Sequence, residues 1–460
     1  MSENCSDATA DTLLAKVVDP TNEIKNKTEE CSNGKTEKSR YIKTAVLGAG
    51  YLTMGFNLTI LGLAIPSLAQ NINVTIDQVA PVIISRGGGY LLGSIAAGLL
   101  DGMIDIHLTL IASLMCMSCF LVFIPMATNT VWLFIVTALN SIGLGAFETI
   151  GNVYCLHLWG PKVAPFLQFI HFCYCFGCAV TPALAKPFLN EIERSNVTTA
   201  AVETLNYEVH YIEETSIPYL SIIYIIMAIV GTLVSLLFVC LKLFTKLKNG
   251  NAQREQKRKR EQKFFRYSIL CFLFLLYFVY IGAEVGFITY LYTFAISDVP
   301  GMRYSKDSAT DMSTVNYVSV AVGQFCSIIL AKKFSAKVLL VLDVVVLLLS
   351  TILMLCLPLY ATSAPVLFWL GVGISGFSAA SIYGMAFVWA EKYIVVNGRA
   401  ASIFIVGGAL GEMVLPIPVG QLIESFPMSF LYFSLGYIML LTVLMFVMFR
   451  FASRYSNRAA

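Results

Sequence analysis

Glu148 stands in the run Gly143-Leu-Gly-Ala-Phe-Glu-Thr-Ile-Gly-Asn152, four residues before Asn152, a step that puts a carboxylate and an amide on one face of a helix. Such a pair can ligate a hard cation such as sodium, accept a proton, or hold two hydroxyls of a polyol; it can also simply clamp helices together. Gln168 and His171 lie three apart, also on one face, and the short loop around Gly160-Pro161-Lys162 returns their segment beside the first. His171 offers a proton relay or a hydroxyl donor, and a lone membrane histidine bonded to one carbonyl explains it equally well. Further along, Glu284 in Tyr280-Ile-Gly-Ala-Glu-Val-Gly286 and Glu412 in Gly407-Gly-Ala-Leu-Gly-Glu412 are carboxylates among glycines, where a ligand or a backbone can approach closely. Arg86, ahead of Gly87-Gly-Gly89, can pair with one of them as a gate or share substrate contacts, or else snorkel from a helix end. Asn57, Asn140, Asn316, Tyr317 and Gln324 add uncharged donors and acceptors, and Trp389 adds a flat aromatic face. That lining suits a neutral sugar, because each buried polar group left unpaired costs about 1–3 kcal/mol.

These side chains carry weight because of their surroundings. Mean hydropathy is +0.74 and only 13% of residues are charged, where a soluble domain carries roughly a quarter. A water-solvated fold is excluded, and any ionised group at bilayer depth costs several kcal/mol unless paired or facing water. A spanning helix takes about 20 mainly apolar residues. Apolar segments at 43–69, 79–100, 108–126, 131–156, 163–189 and 218–242, then 264–295, 312–331, 338–359, 365–390, 400–423 and 429–451, predict twelve spans. The expected fold is an all-α membrane protein of twelve transmembrane helices in two six-helix bundles, residues 43–243 and 264–460. A polar tail, 1–42, reads as disordered and cytoplasmic, and a basic stretch, 244–263, as a cytoplasmic linker. Asp343, a turn or two from the start of its span, reads as snorkelling to Lys337.

Orientation follows from Lys38, Arg40, Lys43, the linker, Lys332, Lys333, Lys337, Lys392, Arg399, Arg450 and Arg454, which all fall on one side and predict cytoplasmic termini. The opposite side carries the acidic loop 190–217 and sequons at Asn73 and Asn196, the two expected glycosylation sites. The cysteines lie in the tail or in apolar stretches, so free thiols are expected. Cys173, Cys175 and Cys178 split over different faces of one helix, which favours packing over a metal cluster. The net charge of +3 gives no basic field for nucleic acid. GxxxxGK and HExxH motifs are absent, and no nucleophile stands beside a base at workable spacing, so neither an ATP-driven pump nor an enzyme is expected.

The halves echo one another. Gly143-Leu-Gly145 and Gly371-Val-Gly373 each lead to a tryptophan (Trp159, Trp389), and Gly177 with Pro182 has the separation of Gly411 with Pro416. Parallel repeats around a midplane site produce such echoes.

Glu148-Thr149 with Asn152, Leu158-Trp159-Gly160, Ala164-Pro165, Gln168, His171-Phe172, Gly177, Pro182, Gly408 and Gly411-Glu412-Met413 together resemble the major facilitator superfamily, in its sodium-dependent glucose transporter branch related to bacterial fucose permease. The resemblance spans nearly the whole membrane part. It implies substrate or proton handling at Glu148, where the permease branch also has an acidic residue. That branch has a first-span aspartate four residues before a proline, where this chain has Gly62 before Pro66, so sodium becomes the more natural coupling ion. The family's loop between spans two and three keeps Asp101 but has Ile104, Asp105 and His107 where basic residues are usual, which implies altered gating contacts.

The expectation is therefore a plasma-membrane symporter moving a glucose-like hexose with sodium by alternating access, with no other cofactor and no bound metal. Glu148 would couple the cation, while Asn152, Gln168, His171, Glu284, Glu412, Arg86 and Trp389 would contact the sugar. Proton coupling, another small polar solute, or a non-transporting receptor or scaffold on the same fold are the alternatives.

Overall fold

The protein is described from a computed structural model covering residues 20–79, 81–189, 219–244, 263–297, 299, 304–356 and 364–459. Residues 1–45 and 46–460 form two separate compact units. Among the described residues, twelve helices are long and apolar enough to cross a membrane: Glu37–Asn71, Val82–Leu100, Ile106–Phe123, Thr130–Lys162, Ala164–Phe188, Leu220–Leu243, Lys263–Ile296, Ser308–Lys333, Ala336–Leu355, Val366–Tyr393, Gly398–Leu422 and Ser429–Tyr455, here spans 1 to 12. Polar residues at the ends of the apolar runs start the helices by accepting backbone N–H groups that lack partners in the first turn. Asp105 accepts from His107 and Leu108 at 3.0 and 3.1 Å, Asn129 from Trp132 at 2.8 Å, and Asn397 from Ala400 at 3.1 Å.

Three features depart from the sequence expectation. The first helix begins at Pro20, so part of the stretch read as a disordered tail is helical; no further proline interrupts it until Pro66, and proline is favoured at a helix start. Span 10 is two helices, Ala364–Ala379 and Ile382–Tyr393, rather than one. Span 11 divides into Gly398–Val414 and Pro416–Leu422, since Pro416 has no N–H to continue the ladder. Residues 245–262 of the linker and the acidic loop with Asn196 lie outside the described residues.

The two halves pack alike. Span 2 lies on span 4 as span 8 lies on span 10, and span 3 lies on spans 4 and 6 as span 9 lies on spans 10 and 12. A Cβ added at Gly177 would fall 2.4 Å from the Leu52 carbonyl of span 1, and one at Gly411 would fall 1.9 Å from the Phe278 carbonyl of span 7. The Gly–Pro echo thus marks one backbone contact made twice, as parallel repeats require. The bundles meet through spans 2 and 11 and through spans 5 and 8, again an equivalent pair.

Because the spans alternate in direction, the loops bearing Lys162, Lys332, Lys333, Lys337, Lys392 and Arg399 share one face, called the basic face below. On that side, buried apolar residues of both halves merge into one core, from Leu47 and Leu158 to Phe404 and Ala452. Toward the opposite face each bundle keeps its own: Ile60, Leu121 and Tyr224 in one, Leu291, Phe368 and Phe430 in the other. The molecule is closed at the basic face, and its bundles have separate cores beyond it.

Candidate functional site

Where the common core gives way to the two separate ones, polar side chains gather. Glu148, 7% exposed on span 4, accepts a hydrogen bond from the Tyr383 hydroxyl of span 10 at 2.5 Å, so a carboxylate of one bundle is held by a phenol of the other. Asn152 donates through Nδ2 to the Glu148 carbonyl at 3.0 Å, one turn back on the same helix. Its Oδ1 must then accept, and His171 Nε2 lies 3.1 Å from it. The shared hydrogen therefore sits on Nε2. The His171 ring packs edge-on against Tyr383 and Tyr51, at 4.7 and 5.4 Å between centroids, and the Tyr51 hydroxyl donates to the Glu148 carbonyl at 3.3 Å. Glu148, Asn152 and His171 are thus brought together as the helix spacing implied, with Tyr51 and Tyr383 as members that the spacing did not reveal.

Gln168 is fully buried and serves the junction instead. Its Nε2 donates to the Ser381 carbonyl at 3.1 Å, and it receives Gln324 Nε2 on its backbone carbonyl, at 3.1 Å, and on Oε1. Ser381 lies at the break in span 10, and side chains answer the carbonyls there: Tyr280 donates to Ala379 at 3.0 Å and Tyr277 to Tyr383 at 2.6 Å. The Ser381 hydroxyl donates to Asp343. This corrects the sequence reading of Asp343, which is 9% exposed inside the bundle, while Lys337 lies over the Phe449 ring at 5.5 Å. The serine and glycine run Ser375-Gly-Phe-Ser-Ala-Ala-Ser-Ile-Tyr-Gly384 was the available signal for a break without proline.

Arg86 and Glu412 form the ion pair that the sequence allowed, Nη2 to Oε1 at 2.8 Å, between spans 2 and 11. Lower on the same interface, Asp101 accepts from the Gly398 N–H at 2.6 Å, placing a carboxylate at the start of span 11, where the helix dipole favours negative charge. Glu284 is not in the Glu148 cluster; it lines a cavity of about 50 Å³ within the carboxyl-terminal bundle. Trp389 is also elsewhere, 2% exposed against Tyr393 of its own helix and Phe449 of span 12, at 4.8 and 5.3 Å between ring centroids. Asn140 donates to the Met117 carbonyl at 2.7 Å and ties helices together. Asn73 is exposed in the turn after span 1, at a φ of 54°.

The human protein named Sodium-dependent glucose transporter 1 is similar to this chain, 28% identical over 417 residues that cover 89% of this chain and 79% of that one. Sodium-dependent glucose transporter 1A of mouse is 28% identical over 416 residues, covering 88% and 96%. Among solved structures, the transporter FucP in its outward conformation matches with a TM-score of 0.67 at 17% identity, covering 90% of this chain and 99% of its own. The proton:xylose symporter XylE, bound to 6-bromo-6-deoxy-D-glucose, matches with a TM-score of 0.71 at 13% identity, covering 91% and 96%. These likenesses establish the fold. The model of the Major Facilitator Superfamily matches residues 47–416, and the chain belongs to that family.

Proposed function

We propose that the chain is a secondary active transporter that moves a glucose-like hexose together with sodium by alternating access. The observation that carries this reading is the Tyr383–Glu148 hydrogen bond, because it sets a carboxylate at the meeting of two bundles and gives it a hydroxyl partner that a sugar hydroxyl can replace. His171 and Asn152 extend the same surface, and the Arg86–Glu412 pair borders it. Glu148 is the coupling carboxylate. Enclosing it without a partner is costly, so a cation at Glu148 favours the closure that a bare carboxylate opposes. The names of the similar vertebrate proteins support both sodium and glucose.

Taking the basic face as cytoplasmic, the conformation faces outward, with Asn73 on the glycosylated side of the plasma membrane. Rocking would break the contacts of Asp101, Gln168 and Tyr383 and close the opposite side. The test is uptake of labelled glucose into proteoliposomes with and without a sodium gradient. Wild-type protein is expected to take up glucose in response to sodium, and Glu148→Gln is expected to lose that response. Unchanged sodium-driven uptake by Glu148→Gln would remove Glu148 from the coupling role. Uptake following pH alone would replace sodium by protons, and failure to exchange any hexose would favour a receptor or scaffold.

A further inference from the structure

Glu284 raises a separate question, since among the described residues no cationic side chain pairs with it. Arg86 is engaged by Glu412. Glu284 instead lines a cavity of about 50 Å³ between spans 7, 8, 9, 10 and 12. That space exceeds the roughly 10–15 Å³ needed for one water-sized occupant.

The hydrogen bonds of the cavity's polar residues give it a direction. Thr351, Ser375 and Ser434 each donate their hydroxyl hydrogen to a carbonyl of their own helix, Leu347 at 2.9 Å, Val372 at 2.9 Å and Phe430 at 2.7 Å. Asn316 directs Nδ2 to the Val372 carbonyl at 3.4 Å, which leaves Oδ1 as its acceptor. That oxygen belongs to a side chain only 3% exposed and has no hydrogen-bond partner among the described residues. The Tyr280 hydroxyl is likewise directed to Ala379. In a lining otherwise made of apolar side chains such as Phe287, Val320 and Leu441, what these polar groups leave for an occupant is lone pairs and one carboxylate, ligands suited to a hard cation. One negative charge balances a monovalent ion, whereas a divalent ion would leave a buried positive charge unpaired.

We propose that Glu284, Asn316 and the hydroxyl oxygens of Thr351 and Ser375 form an alkali-cation site inside the carboxyl-terminal bundle, distinct from Glu148. The site binds sodium whether or not a sugar is present, so its test does not depend on the transport reading. Purified protein carrying Glu148→Gln isolates it. With labelled sodium in sugar-free buffer, this variant is expected to bind one ion saturably. Adding Glu284→Gln or Asn316→Leu is expected to weaken that binding by about 10- to 100-fold, the loss of one charged or buried ligand. Ser375→Ala, a milder change, keeps the test available if either variant misfolds and is expected to weaken binding severalfold. Sodium binding unchanged by Glu284→Gln and Ser375→Ala would overturn the proposal. So would a Glu148→Gln protein that binds no sodium but is stabilised by acid, since a proton on Glu284 would then serve in the ion's place.

Discussion

Span 4 runs unbroken from Thr130 past Glu148 to Trp159, whereas span 10, which packs on its neighbours in the same way, is broken at Ala380 and Ser381. The packing repeats because both helices fill the same place in a six-helix unit. The chemistry does not repeat. Span 4 presents a carboxylate on a rigid helix; span 10 presents a phenol beside a break whose carbonyls are answered by Gln168, Tyr277 and Tyr280. A fixed group facing a jointed one suits two bundles that meet and part around a solute.

The comparison can be broken first at its glycines. A Cβ at Gly145 would lie 2.1 Å from the Tyr90 carbonyl, while one at Gly373 would lie 3.5 Å from Ser319 Oγ, an ordinary contact. Gly145→Ala should therefore cost about 1–3 kcal/mol through overpacking, with Gly373→Ala near neutral. Melting temperatures of the purified variants would check this, and equal effects would contradict the asymmetry. Next, Gln168→Leu should strip a buried donor from the Ser381 carbonyl and an acceptor from Gln324, at about 1–3 kcal/mol. Because those bonds join spans 5, 8 and 10, cysteines placed across the basic face should cross-link more slowly in that variant. The smallest effect belongs to a cap: Asn397→Ala should cost span 11 about 1 kcal/mol, read as a small fall in melting temperature with uptake retained.

Much of this was legible in the chain. Twelve apolar runs and the placement of basic residues are strong signals, since the bilayer tolerates few alternatives to a helix. Helix spacing put Glu148 with Asn152, and the Gly–Pro echo found a real repeat, but Gln168, three residues before His171, turns to Ser381 and Gln324 instead. Distances across the bundles were not legible: nothing local distinguishes Tyr383, which reaches Glu148, from Trp389, six residues on, which faces span 12. Asp343 shows the same limit, because only the fold reveals Ser381 beside it. The break in span 10 was hidden for another reason: its stabilising donors come from spans 5 and 7, far away in sequence.

Equilibrium binding of labelled glucose to the purified protein in sodium, wild type beside Glu148→Gln, tests most directly whether the junction of the two bundles is where the solute sits. Saturable binding in the wild type, lost in a Glu148→Gln protein that melts normally, is the predicted result. Equal binding by both proteins, or none by either, would contradict it.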